Sequence, residues 1–355
     1  MTTAFLNTHL QKRREHGLLR SLQSTTGLID LTSNDYFGFA HDHLTESSPG
    51  ATGSRLLTGN HFFYEELEAR IARFHRAESC LIYNSGYTAN LGLLSALGTK
   101  AVTFLFDLEI HASMMDGIRL SDAKSFAFRH NDLESLERRL KNARLPVFVL
   151  VESIYSISGE FAPLQEIAVL CAKYGADLIV DEAHGTGICG SNGEGLVAEL
   201  GLEQHVFARV HTFSKALGAH GACILGNVTL KEYLLNFSRP LIFTTALPLS
   251  FLKLIACRYE KLEGEAKVHQ QRLKDLTTYF CKKARIKDTR SPIQPIYISG
   301  IEKLRSLSKR LKEKGFDIRA IVPPTVPRGK ECLRVVLHSF NQREEIDQLI
   351  DLFRN

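Results

Sequence analysis

The segment ADLIVDEAHGTG, 176–187, places Asp181, Glu182 and His184 directly after a run of apolar residues and just before Gly185 and Gly187. A carboxylate at the end of a buried strand costs desolvation free energy unless it has a partner. Two partners suit it. One is a metal ion, since Asp, Glu and His are all ligands; the other is the protonated nitrogen of a heterocycle. DEAH is also a helicase motif, but the chain has no GxxxxGK(S/T) phosphate loop. Further on, HTFSKALGAHG, 211–221, sets Lys215 among the small residues Ser214, Ala216 and Gly218, with room for a bulky group on its nitrogen. Few charges lie nearby, so Lys215 is expected to be buried. Burial lowers a lysine pKa, and the neutral amine can form a Schiff base.

Other strand ends add to this set. NSGYTANLG, 84–92, is a glycine-containing turn opening a helix. Its free N–H groups and the positive end of the helix dipole suit a phosphate. His111 follows the apolar run VTFLFD, 102–107, and Glu152 and Ser153 close PVFVLVES, 146–153. Taken singly, each has an ordinary structural use as a connection, a cap or a surface lysine. Together, an anion turn, a ring-bearing His111, a strand-end Asp181 and Lys215 match the phosphate, flat ring, pyridine nitrogen and aldehyde of pyridoxal phosphate (PLP).

These residues need a sheet to hold them. Apolar runs at 80–84, 102–107, 146–153, 176–184, 207–213 and 222–226 alternate with helical stretches such as 131–143 and 164–175. Unbroken apolar strands separated by helices imply a largely parallel α/β sheet covered on both faces. Ligands of such sheets sit beyond the carboxyl ends of the strands. Residues 62–77 have helical apolar spacing at Phe63, Leu67, Ile71 and Phe74, with Glu66 and Arg70 as an i,i+4 pair. After about residue 240 a long helical region, 247–284, leads to strands at 292–299, 317–321 and 332–337. Helices at 302–315 and 341–355 complete a smaller α+β domain. The expected organisation is an N-terminal arm over 1–50, a large α/β domain over 51–240 and a small C-terminal domain over 241–355.

Composition narrows the class. Among 355 residues, 44 basic against 39 acidic side chains leave a net charge of +5, with no long block of like charge. The cluster Lys12, Arg13, Arg14 reads as a solvated helix face, so no nucleic-acid partner is expected. Seven scattered cysteines without a CxxC pair argue against a disulfide framework or a zinc site and fit a reducing cytoplasm. No apolar signal segment or membrane-length apolar run is present.

The ordered motifs SNDYFGF, TGSRLLTGN, NSGYTAN, DLEIHASMMDG, SISGEFAPL, DEAHGTGICG, HTFSKALG and FTTALP run nearly end to end. With them the chain resembles the α-oxoamine synthases, PLP enzymes of fold type I that condense an amino acid with an acyl thioester and release CO2. PIQPIYIS and AIVPPTVPRGKECLRVVLHS resemble the biotin-pathway subfamily, which uses L-alanine and a pimeloyl thioester on coenzyme A or acyl-carrier protein.

The resemblance implies roles. Lys215 is the Schiff-base lysine and proton shuttle. Asp181 pairs with the pyridine nitrogen, His184 meets the phenolic oxygen and His111 stacks on the ring. Gly86, Tyr87 and Thr212 line the phosphate, with Asn90 nearby. Ser156 lies beside the phenolic oxygen and Glu152 behind it. Thr244 or Thr245 reaches the phosphate of a neighbouring subunit, which implies a homodimer. Arg334 grips the amino-acid carboxylate, and Arg20 and Asn34 line the substrate entrance. Three departures bear on acyl specificity: a shortened stretch before TGSR, and Val322 and Cys332 where the subfamily carries arginine. Other members of the family use glycine with acetyl-CoA, or serine with a long acyl chain. A PLP-binding regulatory protein without turnover is the alternative outside enzymes.

Overall fold

The computed structural model describes residues 2–15 and 50–354, apart from 288, 317 and 324. Arg20, Asn34, the SNDYFGF segment and most of the shortened stretch lie outside the described residues. Contacts divide the chain into two units, Met1–Ser153 with Ala162–Gly264, and Ile154–Phe161 with Glu265–Asn355.

The first unit is built on seven strands: β1 (Ser79–Tyr83), β2 (Thr103–Asp107), β3 (Lys124–Phe128), β4 (Val147–Glu152), β5 (Asp177–Asp181), β6 (Ala208–Thr212) and β7 (Ala222–Gly226). Their order is β1-β7-β6-β5-β4-β2-β3, and only β7 runs antiparallel to its neighbours. Six of the seven match apolar runs read from the sequence. The seventh, β3, was not expected. KSFAF is a half-polar edge strand, exposed at its first three residues, so it carries no two-face apolar signal.

Helices α1 (Thr2–Glu15), α2 (Phe62–Phe74), α3 (Gly86–Leu97), α4 (Ala112–Arg119), α5 (Leu133–Asn142), α6 (Leu164–Tyr174), α7 (Leu196–Glu199), α8 (Val228–Phe237) and α9 (Arg239–Ile242) connect or flank these strands, and α10 (Leu249–Ala284) follows them. Alternate strand residues feed two cores. Leu81, Tyr83, Ile179, Val210 and Ile224 pack with α3, α4 and α8, whereas Cys80, Ile82, Cys223 and Leu225 pack with α2 and the start of α10. Burial on both faces is why these strands read as unbroken apolar runs.

The basic cluster of α1 is only partly solvated. Leu6 and Leu10 are fully buried, Arg13 lies 4.5 Å over the Phe237 ring and Arg14 pairs with Glu232 at 2.8 Å. On α2, Arg70 turns away from Glu66 to Glu260 and Glu263 of α10, at 2.8 and 3.0 Å.

The second unit holds a three-stranded antiparallel sheet, β8 (Ile293–Tyr297), β10 (Cys332–Val336) and β9 (Arg319–Ile321) in that order. Helices α11 (Ile301–Glu313) and α12 (Arg343–Arg354) pack with the last turns of α10 around Leu304, Leu311, Phe280 and Ile350. The division falls at 264/265 instead of the expected 240/241. The cause is α10, a single 36-residue helix whose first half buries Leu252, Ile255 and Tyr259 in the first unit's core. Residues 154–161, closed on themselves by a bridge between Ile154 and Phe161, join the second unit through the seating of Gly159 against Ile293. Among the described residues no helix is long and apolar enough to cross a membrane.

A buried ion network ties the first unit together. Glu68 of α2, 1% exposed, accepts from Arg55 Nη1 at 2.5 Å, from Lys231 Nζ of α8 at 2.7 Å and from the Ile82 amide of β1 at 2.9 Å. Burial opposes its charge, but Arg55 and Lys231 outweigh that and hold the carboxyl below its usual range. Glu68→Ala leaves Arg55 charged and buried without its counter-ion. It is expected to cost about 3–5 kcal/mol, read as a lower urea midpoint at unchanged m. A loss under 1 kcal/mol would mean that the network is incidental.

Candidate active site

The anion turn forms as its sequence implies. Ser85 caps α3 by accepting from the Thr88 amide, and the Thr88 hydroxyl accepts from the Ser85 amide, a reciprocal capping box. The Ala89 amide is taken by the Ser85 carbonyl, so the first amides of the helix, Gly86 and Tyr87, are left to an anion. A Cβ on Gly86 would stand 3.5 Å from Thr212 at the end of β6, which brings the turn and Thr212 into contact. Thr212 Oγ1 in turn lies 3.0 Å from Ser214 Oγ. The Tyr87 phenol is engaged by Asp116, so what Tyr87 offers the turn is its backbone N–H.

Asp181 ends β5 on the same sheet face as Ile179, under α3, and is 5% exposed. Its carboxylate accepts from Asn90 Nδ2 at 2.7 Å and from the Ala183 amide at 2.9 Å. Among the described residues it has no cationic partner. Asn90 also reaches Ser113 Oγ at 3.0 Å, and Ser113 lies 2.7 Å from His111 Nδ1 and donates its amide to that nitrogen at 3.2 Å. The backbone N–H of Ser113 donates to Nδ1, so that nitrogen serves as an acceptor and caps the start of α4. One chain of hydrogen bonds therefore runs from Asp181 through Asn90 and Ser113 to His111. Asn90 stands behind the carboxylate, and among the described residues its Oδ1 is buried without a partner. Ser113 was not singled out from the sequence, although its place two residues after His111 at a helix start is a capping signature.

Glu182 takes the opposite side. It is fully buried and accepts from the Leu196 and Val197 amides at 3.1 and 2.6 Å. Burial pushes its pKa up, against those bonds. Asp181 and Glu182 thus diverge, which removes the metal reading of the DEAH segment. Glu182 instead fixes the turn carrying half-buried His184, since the amides of Gly185 and Thr186 bond its carbonyl at 3.0 and 2.9 Å. Glu152, 3% exposed at the end of β4, is the register neighbour of Asp181.

Lys215 sits in the tight turn between β6 and β7, closed by the Gly218 amide on its carbonyl at 3.0 Å. It is exposed, not buried as expected, because the turn lifts it clear of the sheet. Its small neighbours have a packing reason. Gly187, at φ +81°, lies so close that a Cβ would come within 2.4 Å of the Ala216 methyl, pressing the DEAHGTG turn onto the lysine turn.

In the second unit Arg334 is half-buried on β10 and donates Nε to the Ser156 carbonyl at 2.7 Å. That bond orients the guanidinium and leaves its Nη groups for a carboxylate. Cys332 is fully buried on the same strand and Val322 packs in the unit's core, so the two departures from arginine remove charge and bring apolar side chains into the interior.

PLP fits this donor set. A nearly buried carboxylate without a counter-cation suits a protonated ring nitrogen, uncapped helix amides suit the phosphate, and an exposed lysine suits the aldehyde. The chain belongs to the class I and II aminotransferase family, whose profile matches residues 26–353. It is 39% identical to the 8-amino-7-oxononanoate synthase of Emericella nidulans, over 96% of this chain and 92% of that protein. It is also 39% identical to a putative 8-amino-7-oxononanoate synthase of Geobacillus kaustophilus, over 91% and 87%. The solved serine palmitoyltransferase of Sphingomonas wittichii matches with a TM-score of 0.83 at 29% identity, covering 97% of this chain and 95% of that one. The 8-amino-7-oxononanoate synthase of Francisella tularensis matches with 0.74 at 29%, covering 83% and 87%. The resemblance to the α-oxoamine synthases is borne out, as are fold type I and PLP as the cofactor. The protein is a PLP-dependent enzyme of the acyltransferase type.

Beneath this site, on the other sheet face, the His75 and His211 rings lie with centroids 4.0 Å apart and planes tilted by 44°. Burial, with Arg209 nearby, pushes His75 down to about 3, and burial likewise lowers His211. Above the unfolded pKa of 6.5 both states are neutral and pH has no effect through His75. As pH falls below it, the unfolded chain takes a proton that the folded chain refuses, and stability drops until about pH 3. By about pH 5, His75 alone accounts for a loss of about 2 kcal/mol. In His75→Gln the fall in unfolding free energy between about pH 7.5 and 5 should shrink by that amount. An unchanged fall would refute the assignment.

Proposed function

We infer that the protein condenses L-alanine with a pimeloyl thioester, carried on coenzyme A or acyl-carrier protein. The products are 8-amino-7-oxononanoate, CO2 and the free thiol carrier, a step of biotin synthesis. The observation that carries this reading is 39% identity to a protein of that name over 96% of the chain. Bound PLP supplies an electron sink for charge developing at the substrate Cα. Asp181 keeps the ring nitrogen protonated, with Asn90 holding the carboxylate in place. Lys215 is the attachment point, and its freed amine takes the Cα proton and later returns one, general base work contributing roughly 10²–10⁴-fold.

His111 covers the ring face, and His184 hydrogen-bonds the phenolic oxygen with Ser156 beside it and Glu152 behind. Gly86, Tyr87 and Thr212 hold the phosphate, joined by Thr244 or Thr245 from a neighbouring subunit of a homodimer. Arg334 takes the amino-acid carboxylate. A second reading, serine with a long-chain acyl thioester, is favoured by the TM-score of 0.83 to serine palmitoyltransferase.

Product mass after incubation with L-alanine, glycine or L-serine, each with pimeloyl-, acetyl- or palmitoyl-CoA, separates the readings. The expected outcome is product from L-alanine and pimeloyl-CoA. Product from serine and palmitoyl-CoA alone moves the assignment to the second reading, and no product from any pair leaves a PLP-binding protein without turnover. Lys215→Ala should lose turnover and, after borohydride reduction, the cofactor-labelled peptide, with its far-ultraviolet circular dichroism intact. Steady-state rates at the parent level in that variant would overturn the mechanism.

A further inference from the structure

The segment 243–248, between α9 and α10, has no regular secondary structure, yet three consecutive residues have their backbone groups claimed from outside. Asn84 Nδ2 donates to the Thr245 carbonyl at 2.8 Å. The Ala246 amide donates to the Gly53 carbonyl at 2.9 Å. The Tyr64 phenol does both remaining tasks, accepting from the Leu247 amide at 2.7 Å and donating to the Leu247 carbonyl at 3.1 Å. Burial above all pushes that phenol up to about 12, so it stays protonated and can serve as donor and acceptor at once. Its ring is pinned from the other side by Arg55, whose guanidinium carbon lies 3.9 Å from the ring centroid. Asn84 is the residue before Ser85, the cap of the anion turn.

We propose that Tyr64 and Asn84 are positioning residues for the phosphate end of the cofactor, fixing the Thr244–Thr245 segment that one subunit presents to the phosphate of its neighbour. The proposal rests on the reading above that Thr244 or Thr245 reaches the cofactor phosphate of a neighbouring subunit. Tyr64 acts from outside the site. A flexible strap would have to be ordered at each binding event, whereas this one is ordered in advance by four hydrogen bonds to the body of the fold. Removing a clamp should therefore weaken binding of the phosphate and leave binding of the ring unaffected.

The test compares two ligands, PLP and phosphate-free pyridoxal, titrated into the full-length protein freed of cofactor. Three proteins are measured: the parent, Tyr64→Phe and Asn84→Ala. Tyr64→Phe keeps the ring under Arg55 and removes only the hydroxyl, and Asn84 is partly exposed, so at least one variant should fold. In each variant the Kd for PLP is expected to rise about tenfold, equivalent to about 1.4 kcal/mol. The Kd for pyridoxal should change less than twofold. Equal weakening of both ligands would indicate a general structural role, and an unchanged PLP affinity in both variants would mean that the clamp is not used; either overturns the proposal. If the parent itself binds the two ligands equally, the phosphate reading of the segment fails, which is a separate result.

Discussion

A carboxylate held almost out of water at the end of a central strand is the constraint on which this molecule's chemistry depends. Asp181 has an amide from Asn90 and a backbone N–H from Ala183, which orient it without neutralising it. Such a buried charge is costly, and a cationic ring nitrogen in the remaining place, as proposed, would recover that cost. The same carboxylate organises its surroundings through Asn90 and Ser113 to His111. The group proposed to keep the ring electron-poor and the group proposed to cover its face are therefore parts of one hydrogen-bonded chain.

The sheet makes this arrangement possible by sorting neighbours to opposite faces. Asp181 and Thr212 share the α3 side with the anion turn, while Glu182, His211 and His75 serve the other side as structure. Glu182 is an anchor for α7 and for the turn bearing His184, not a reacting group. The Glu68, Arg55 and Tyr64 assembly extends the same logic to the segment 243–248, whose backbone is held by groups from the loop at 51–60, from α2 and from Asn84.

Much of the site was legible in the motifs. Strand ends carrying Asp181 and Glu152 could be read because strands buried on both faces leave unbroken apolar runs, whereas Thr212 came only from the family resemblance. Polar residues just beyond such runs must then either cap or react. The glycine turn at 84–92 announced a helix start. Less legible were β3, whose edge position removes the apolar pattern, and the division at 264/265, hidden inside a helix whose two halves belong to different cores. The exposure of Lys215 also ran against its small, uncharged surroundings, because those residues are small to let Gly187 and Ala216 approach.

The sequence by itself determined the fold class and the cofactor and nominated the residue types proposed to meet it, since periodicity, glycine placement and strand-end polarity are local properties. Only the tertiary structure decided which of those residues touch. Asn90 joins Asp181 across 91 positions, and Tyr64 clamps Leu247 across 183. No local pattern encodes such pairs. They exist because a buried polar group is costly without a partner, and the folded sheet and its helices determine which partner is within reach.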